Sequence, residues 1–86
     1  MKQFSYTIQK PNGIHGRPAM ELARLARTFA GTTITISKGE KSAQATALLK
    51  LMSLDVGSGD TVTVTIDGLC EMAATVTMQN YFWNHL

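Results

Sequence analysis

The chain has 86 residues, a net charge of +2 and 44% apolar against 16% charged residues. That composition excludes disordered and fibrous classes, and a chain this short folds as one domain burying only about 60 to 65% of the surface it exposes when unfolded. There is one modest core and no second lobe to close over a substrate.

The charge is unevenly spread. Residues 1–43 hold seven basic against two acidic side chains, and residues 44–86 hold one against four, giving +5 and −3. An acidic partner surface or a phosphate near the first half fits this split, as does ordinary solvated charge. The N-terminus MKQFSYTIQK has no continuous apolar run, and no stretch approaches the ~18 apolar residues that span a bilayer. Neither export nor membrane insertion is expected. Cys70 is the only cysteine, too few for a disulfide framework or a structural zinc site, and fits a reducing cytoplasm.

In chain order, FSYTI (4–8) alternates as a half-buried strand, and Pro11, Asn12 and Gly13 break it into a loop. Helical spacing runs from Pro18 to Ala30, with Ala19, Leu22, Ala23, Ala26, Phe29 and Ala30 on one apolar arc. TTITIS (32–37) alternates again, KGE can turn, and KSA (41–43) returns as a short strand. ATALLKLMSL (45–54) reads as a short helix, VGSGD (56–60) as a turn, and TVTVTI (61–66) as a strand with apolar residues on one face and threonines on the other. The stretch from Leu69 is expected to be helical with no evident buried face.

This order, β-α-β-β-α-β-α, predicts an α+β open-faced two-layer sandwich with helices on one side of the sheet. A ferredoxin-like split βαβ arrangement fits the element order equally well.

The chemistry-bearing segment is GIHGRPA (13–19). Pro18 suits the first turn of a helix, so a helix is expected from about residue 16 with His15 at its N-cap. There the free N–H groups of Gly16 and Arg17, the positive end of the helix and the Arg17 guanidinium converge on one anion. A helix N-terminus disfavours an imidazolium, which leaves a neutral, nucleophilic ring. Such a site can attack a phosphoryl group and hold the resulting dianion, and Gly16 has no side chain to obstruct it. The same residues also fit a plain helix cap beside a solvated arginine. His15, His85 and Cys70 lack ligand-like spacing, so neither a metal nor a cofactor is expected.

Arg17, Met20, Arg24 and Arg27 share a separate arc of about 80° on the first helix. Leu48, Leu49, Leu51 and Met52 exceed what one buried stripe of a short helix requires. Exposed methionine and leucine beside arginines read as a docking surface, although the same residues also fit a wholly buried apolar set beside arginines that only solvate their helix.

PNGIHGRPA, followed by KSAQATALLKLMSLDVGSGDTVTV, resembles the HPr family, the histidine-containing phosphocarriers of the bacterial phosphoenolpyruvate-dependent sugar phosphotransferase system. The likeness covers about residues 4–68. It implies an HPr-like sandwich with sheet order 1-4-2-3 across a single domain, 1–86. It further implies that His15 accepts a phosphoryl group on Nδ1 from enzyme I and donates it to enzyme II A-domains, with no enzymatic activity of its own. Gly16 and Arg17 would bind the phosphate through their backbone N–H groups, Arg17 would neutralise it, and Met20, Arg24, Arg27, Leu48, Leu49 and Met52 would dock both partners.

The implied protein is a cytoplasmic monomer without nucleic-acid partners. Gram-positive members carry a regulatory serine where this chain has Ala47, preceded by Thr46, and the segment before it is one residue longer than usual. The tail TMQNYFWNHL lacks the charged, leucine-rich character of the family's last helix. A regulatory paralogue acting through protein binding is the alternative. An RNA-binding module would want stacking aromatics that KSA lacks, and a hydrolase would want a base and an oxyanion site.

Overall fold

The computed structural model describes residues 1–86. Its elements are β1 (Lys2–Thr7), α1 (Arg17–Arg27), β2 (Thr32–Lys38), β3 (Lys41–Gln44), α2 (Leu48–Ser53), β4 (Thr61–Gly68) and α3 (Glu71–His85). The four strands form one antiparallel sheet in the order β1-β4-β2-β3. That is the sandwich order, with β1 at one edge, and it decides against the ferredoxin-like alternative.

Alternation in the strands sorts the two faces. Val62, Val64 and Ile66 of β4 lie between Ile34 and Ile36 on one side and Phe4 and Tyr6 on the other, and all but the two aromatics are fully buried. Each such side chain contributes roughly 1.5–3 kcal/mol by leaving water. The opposite face carries hydroxyls, with Ser5 paired to Thr63 and Thr7 to Thr61 across the strands. The three helices cover the apolar face alone. Between β2 and β3 a two-residue turn is made by Gly39, at φ +61°, and Glu40.

Helix α1 buries Ala19, Leu22, Ala23 and Ala26, as its periodicity predicts. It stops at Arg27 rather than Ala30. The Thr28 hydroxyl donates to the Leu25 carbonyl at 2.6 Å and the Phe29 N–H to the Ala26 carbonyl at 3.3 Å, closing the last turn. Phe29 still packs against the core, but Ala30 is exposed, contrary to the arc that includes it.

Helix α2 begins at Leu48, three residues later than 45–54 implies. The Ala45 N–H is already taken by the Ile34 carbonyl at 2.8 Å, which holds that residue to the sheet. Helix α3 buries Ala74, Met78, Tyr81 and Phe82. Phe82 meets Phe4 and Tyr6 edge-on, with ring centroids 5.7 and 5.6 Å apart. No helix is long and apolar enough to cross a membrane.

Candidate functional site

The loop between β1 and α1 is fixed from three sides before it reaches His15. The Gln9 and Lys10 N–H groups both donate to the Leu86 carbonyl, at 2.6 and 2.9 Å. Gly13 is buried at φ +59°, and a Cβ there would lie 2.0 Å from the Val56 carbonyl oxygen, so only glycine fits. The Ile14 N–H donates to that same carbonyl at 3.1 Å, and the Ile14 side chain is fully buried. Core packing thus grips the residue before His15 and pushes the next side chain outward.

The imidazole is 40% exposed. It does not occupy the N-cap: Gly16 does, at φ +59° and ψ −128°, and α1 starts at Arg17 with Pro18 in its first turn. Glycine takes the cap because that backbone turn is closed to other residues and brings the chain sharply into the helix. His15 therefore stands one residue before the cap. The Gly16 and Arg17 N–H groups donate to nothing within the chain, while the Gly16 carbonyl accepts from Met20 at 3.1 Å. Nothing lies within 4 Å of where a Gly16 Cβ would be, so the backbone there is open to a ligand.

Arg17 is exposed, with no ion pair or hydrogen bond within the chain. One turn on, Glu21 accepts a 2.6 Å hydrogen bond from the Tyr81 hydroxyl, which ties α1 to α3 behind the site. Burial, and then the Glu21 carboxylate, push the Tyr81 phenol well above its usual range, with Arg17 pulling weakly the other way.

His15 has one charged neighbour that its sequence surroundings do not announce. Its Nε2 lies 3.6 Å from Oδ1 of Asp55, while Nδ1 makes no hydrogen bond within the chain. The only local signal is an acidic residue between Leu54 and Val56, directly before the VGSGD turn. Lys38, equally unannounced, donates to the Asp55 carbonyl at 2.6 Å and pairs with Asp60 at 3.0 Å.

Of the other residues named from sequence, Met20, Arg24 and Arg27 are exposed along α1, and Leu49 is exposed on α2, which packs against it. Leu48 and Met52 are half-buried and lean on the core. Leu51 is fully buried. The Arg27 guanidinium donates to the Thr46 carbonyl at 3.1 Å, fastening α1 to the turn before α2, and Ala47 caps α2.

His85 stacks on Tyr81, and no three histidine, cysteine or acidic side chains gather where they could hold a metal ion. Two concavities of about 460 and 400 Å³ lie between β3 and α2, lined by residues such as Ser42 and Lys50; neither includes His15 or Arg17. A half-exposed imidazole outside both cavities, beside open N–H donors, suits a group presented by another macromolecule's surface more than an enclosed small substrate.

Residues 2–84 match the family model described as the PTS HPr component phosphorylation site. The chain is 40% identical over 63 residues to phosphocarrier protein HPr of Haemophilus influenzae, covering 73% of each, and 35% identical over 81 residues to that of Buchnera aphidicola, covering 94% of each. It is also 36% identical over 67 residues to a multiphosphoryl transfer protein of Xanthomonas campestris, spanning only 8% of that protein's length. Among solved structures, the histidine-containing phosphocarrier protein of Mycoplasma superposes with a TM-score of 0.88 at 29% identity, covering 93% of this chain and 90% of that one. With the sheet order and the loop geometry, these likenesses place the chain in the HPr family, the phosphocarriers of the phosphotransferase system.

Proposed function

We propose that residues 1–86 form one phosphocarrier domain in which His15 accepts a phosphoryl group on Nδ1 from the phosphohistidine of enzyme I and passes it to the A-domains of sugar-specific enzymes II. The observation that carries this reading is a half-exposed imidazole beside two N–H groups without acceptors and an unpaired guanidinium. Nδ1 is the nitrogen with no partner inside the chain, so its lone pair is open to an incoming phosphorus. The N–H groups of Gly16 and Arg17 bind the transferred dianion at the positive end of α1, and Arg17 neutralises it. The chain carries the group without being an enzyme in its own right.

Both partners dock on the surface formed by Met20, Arg24, Arg27, Leu48, Leu49 and Met52. We place the protein in the cytoplasm as a monomer, with no cofactor. Ala47 has no hydroxyl, so the seryl-phosphate switch of Gram-positive relatives is absent here. A second reading is a paralogue acting mainly through protein binding. Retention of His15 favours the relay.

The test is a two-step transfer. Radiolabel from phosphoenolpyruvate should enter the protein only when enzyme I is present, and leave it when an enzyme II A-domain is added. Absence of the first step defeats the reading, and a label that enters but never leaves favours the binding paralogue.

A further inference from the structure

We propose that Asp55 is a positioning residue for His15, holding the imidazole proton on Nε2 so that Nδ1 keeps a free lone pair, and favouring the protonated, cationic form of the ring once it is phosphorylated. The inference rests on the reading that His15 carries the phosphoryl group.

The Asp55 carboxylate stands 3.6 Å from Nε2, within ion-pair reach of a protonated ring and just beyond hydrogen-bond length. The placement is built by the backbone. Asp55 is the only non-glycine residue with a left-handed conformation, at φ +54°, and aspartate tolerates this better than most residues. Its N–H donates to the Met52 carbonyl at 3.1 Å and its carbonyl accepts from Lys38 at 2.6 Å. The next residue, Val56, accepts from Ile14, the residue before His15. Two adjoining stretches of chain are thus clamped together, and the imidazole and the carboxylate spring from neighbouring points on them. A sparsely populated backbone conformation at that spot is the kind of strain that functional sites retain.

The chemistry gives the carboxylate two roles. A neutral ring protonated on Nε2 attacks phosphorus through Nδ1; the Nδ1–P bond forms while the donor's N–P bond breaks, and that electron pair stays on the donor ring. His15 is left as a cationic phosphoimidazolium with its Nε2–H facing the carboxylate. In onward transfer the Nδ1–P bond breaks, its electron pair returns to Nδ1, and the ring is neutral again. Asp55 never touches the phosphoryl group. It acts through the ring, as second partners of reactive or metal-bound histidines do. Because its side chain is 89% exposed, the effect is modest.

Asp55→Gly and Asp55→Asn both accept a left-handed backbone, so each should fold. In the unphosphorylated protein, long-range ¹H–¹⁵N spectra of the neutral ring should show the Nδ1–H tautomer rising about two- to fivefold in Asp55→Gly, the size an exposed charge pair allows. After chemical phosphorylation by phosphoramidate, which needs no partner protein, the phosphohistidine half-life at neutral pH should lengthen by a similar factor in both variants, because the labile protonated form loses its counter-charge. An unchanged tautomer ratio in Asp55→Gly, or unchanged half-lives, overturns the proposal. Wild-type protein that shows the tautomer preference but takes no label from enzyme I supports the pairing and defeats only the phosphocarrier reading.

Discussion

At the scale of single residues, the sequence singles out His15 and Arg17 as candidates because they flank a glycine just before a helix-starting proline and resemble the HPr signature, while the same residues fit a plain helix cap equally well. Asp55 is not legible, since nothing in a linear chain says that residue 55 lies beside residue 15. The two glycines flanking the Ile14–His15 pair separate two kinds of requirement. Gly13 is needed for both space and conformation, Gly16 for conformation alone. Gly13→Ala should cost at least about 2 kcal/mol in urea unfolding, because it combines a left-handed φ with a collision against Val56. A Gly13→Ala protein as stable as wild type would mean that the loop is not gripped as described.

Arg17 should behave in the opposite way, since its guanidinium holds nothing within the fold. Arg17→Glu should slow phosphoryl transfer by about two to three orders of magnitude and move the melting temperature by no more than about 3 °C. Calorimetry beside a single-turnover transfer assay separates the two effects. A large loss of stability with normal transfer would reassign Arg17 to the scaffold.

At the scale of elements, alternation identifies β2 and β4 and the 3.6-residue period identifies α1, because each has one clearly apolar face. Helix α3 resists the same treatment. Met72, Val76 and Trp83 are exposed while Ala74, Met78, Tyr81 and Phe82 are buried, so apolar residues lie on both faces and no periodicity marks the inner one. Helix ends are read less well than helix existence: one threonine hydroxyl ends α1 early, and one sheet hydrogen bond delays α2.

The α1–α2 surface divides by exposure into two classes of test. Met20 and Leu49 stand free of the core, so Met20→Glu or Leu49→Glu should weaken enzyme I binding about tenfold at any salt concentration without unfolding the chain. Arg24→Glu should instead slow association mainly at low ionic strength, where charges act over a longer range. Leu48 and Met52 also support the core, and Arg27 also holds the Thr46 carbonyl, so changes there combine stability with binding. Equal salt dependence in Met20→Glu and Arg24→Glu, measured by surface plasmon resonance, would contradict this division.

At the scale of the whole molecule, element order and the open face of the sheet follow from the sequence, but the order β1-β4-β2-β3 is implied only by the family resemblance. Periodicity says nothing about which strand neighbours which. The site depends on that order, because the loop bearing His15 leans on the segment between α2 and β4 and on the last residue of the chain. Asp60 holds that segment by accepting the Gly57 N–H at 2.9 Å and pairing with Lys38.

The Gly57 hydrogen bond, with Lys38 second, keeps the Asp60 carboxyl below its ordinary range. A carboxyl lowered in the folded state stabilises above its unfolded value, and that stabilisation is lost as pH falls through the folded one. The urea midpoint should therefore drop as pH falls below about 4, and drop less steeply in Asp60→Asn. Part of the slope should persist in that variant, since Glu71 is lowered too, by the Met1 ammonium and then the Gly68 N–H. An identical slope in wild type and Asp60→Asn would show that Asp60 does not tie the segment down.

On the function proposed above, a single side chain, His15, carries the phosphoryl group. The most direct measurement incubates wild-type and His15→Ala protein with enzyme I and labelled phosphoenolpyruvate, then exposes the product to acid and to base. The wild-type protein should carry a label that is lost in acid and kept in base, as a phosphoramidate behaves when its protonated imidazole departs, and His15→Ala should carry none. Label that persists in His15→Ala, or wild-type label that survives acid, would contradict the account.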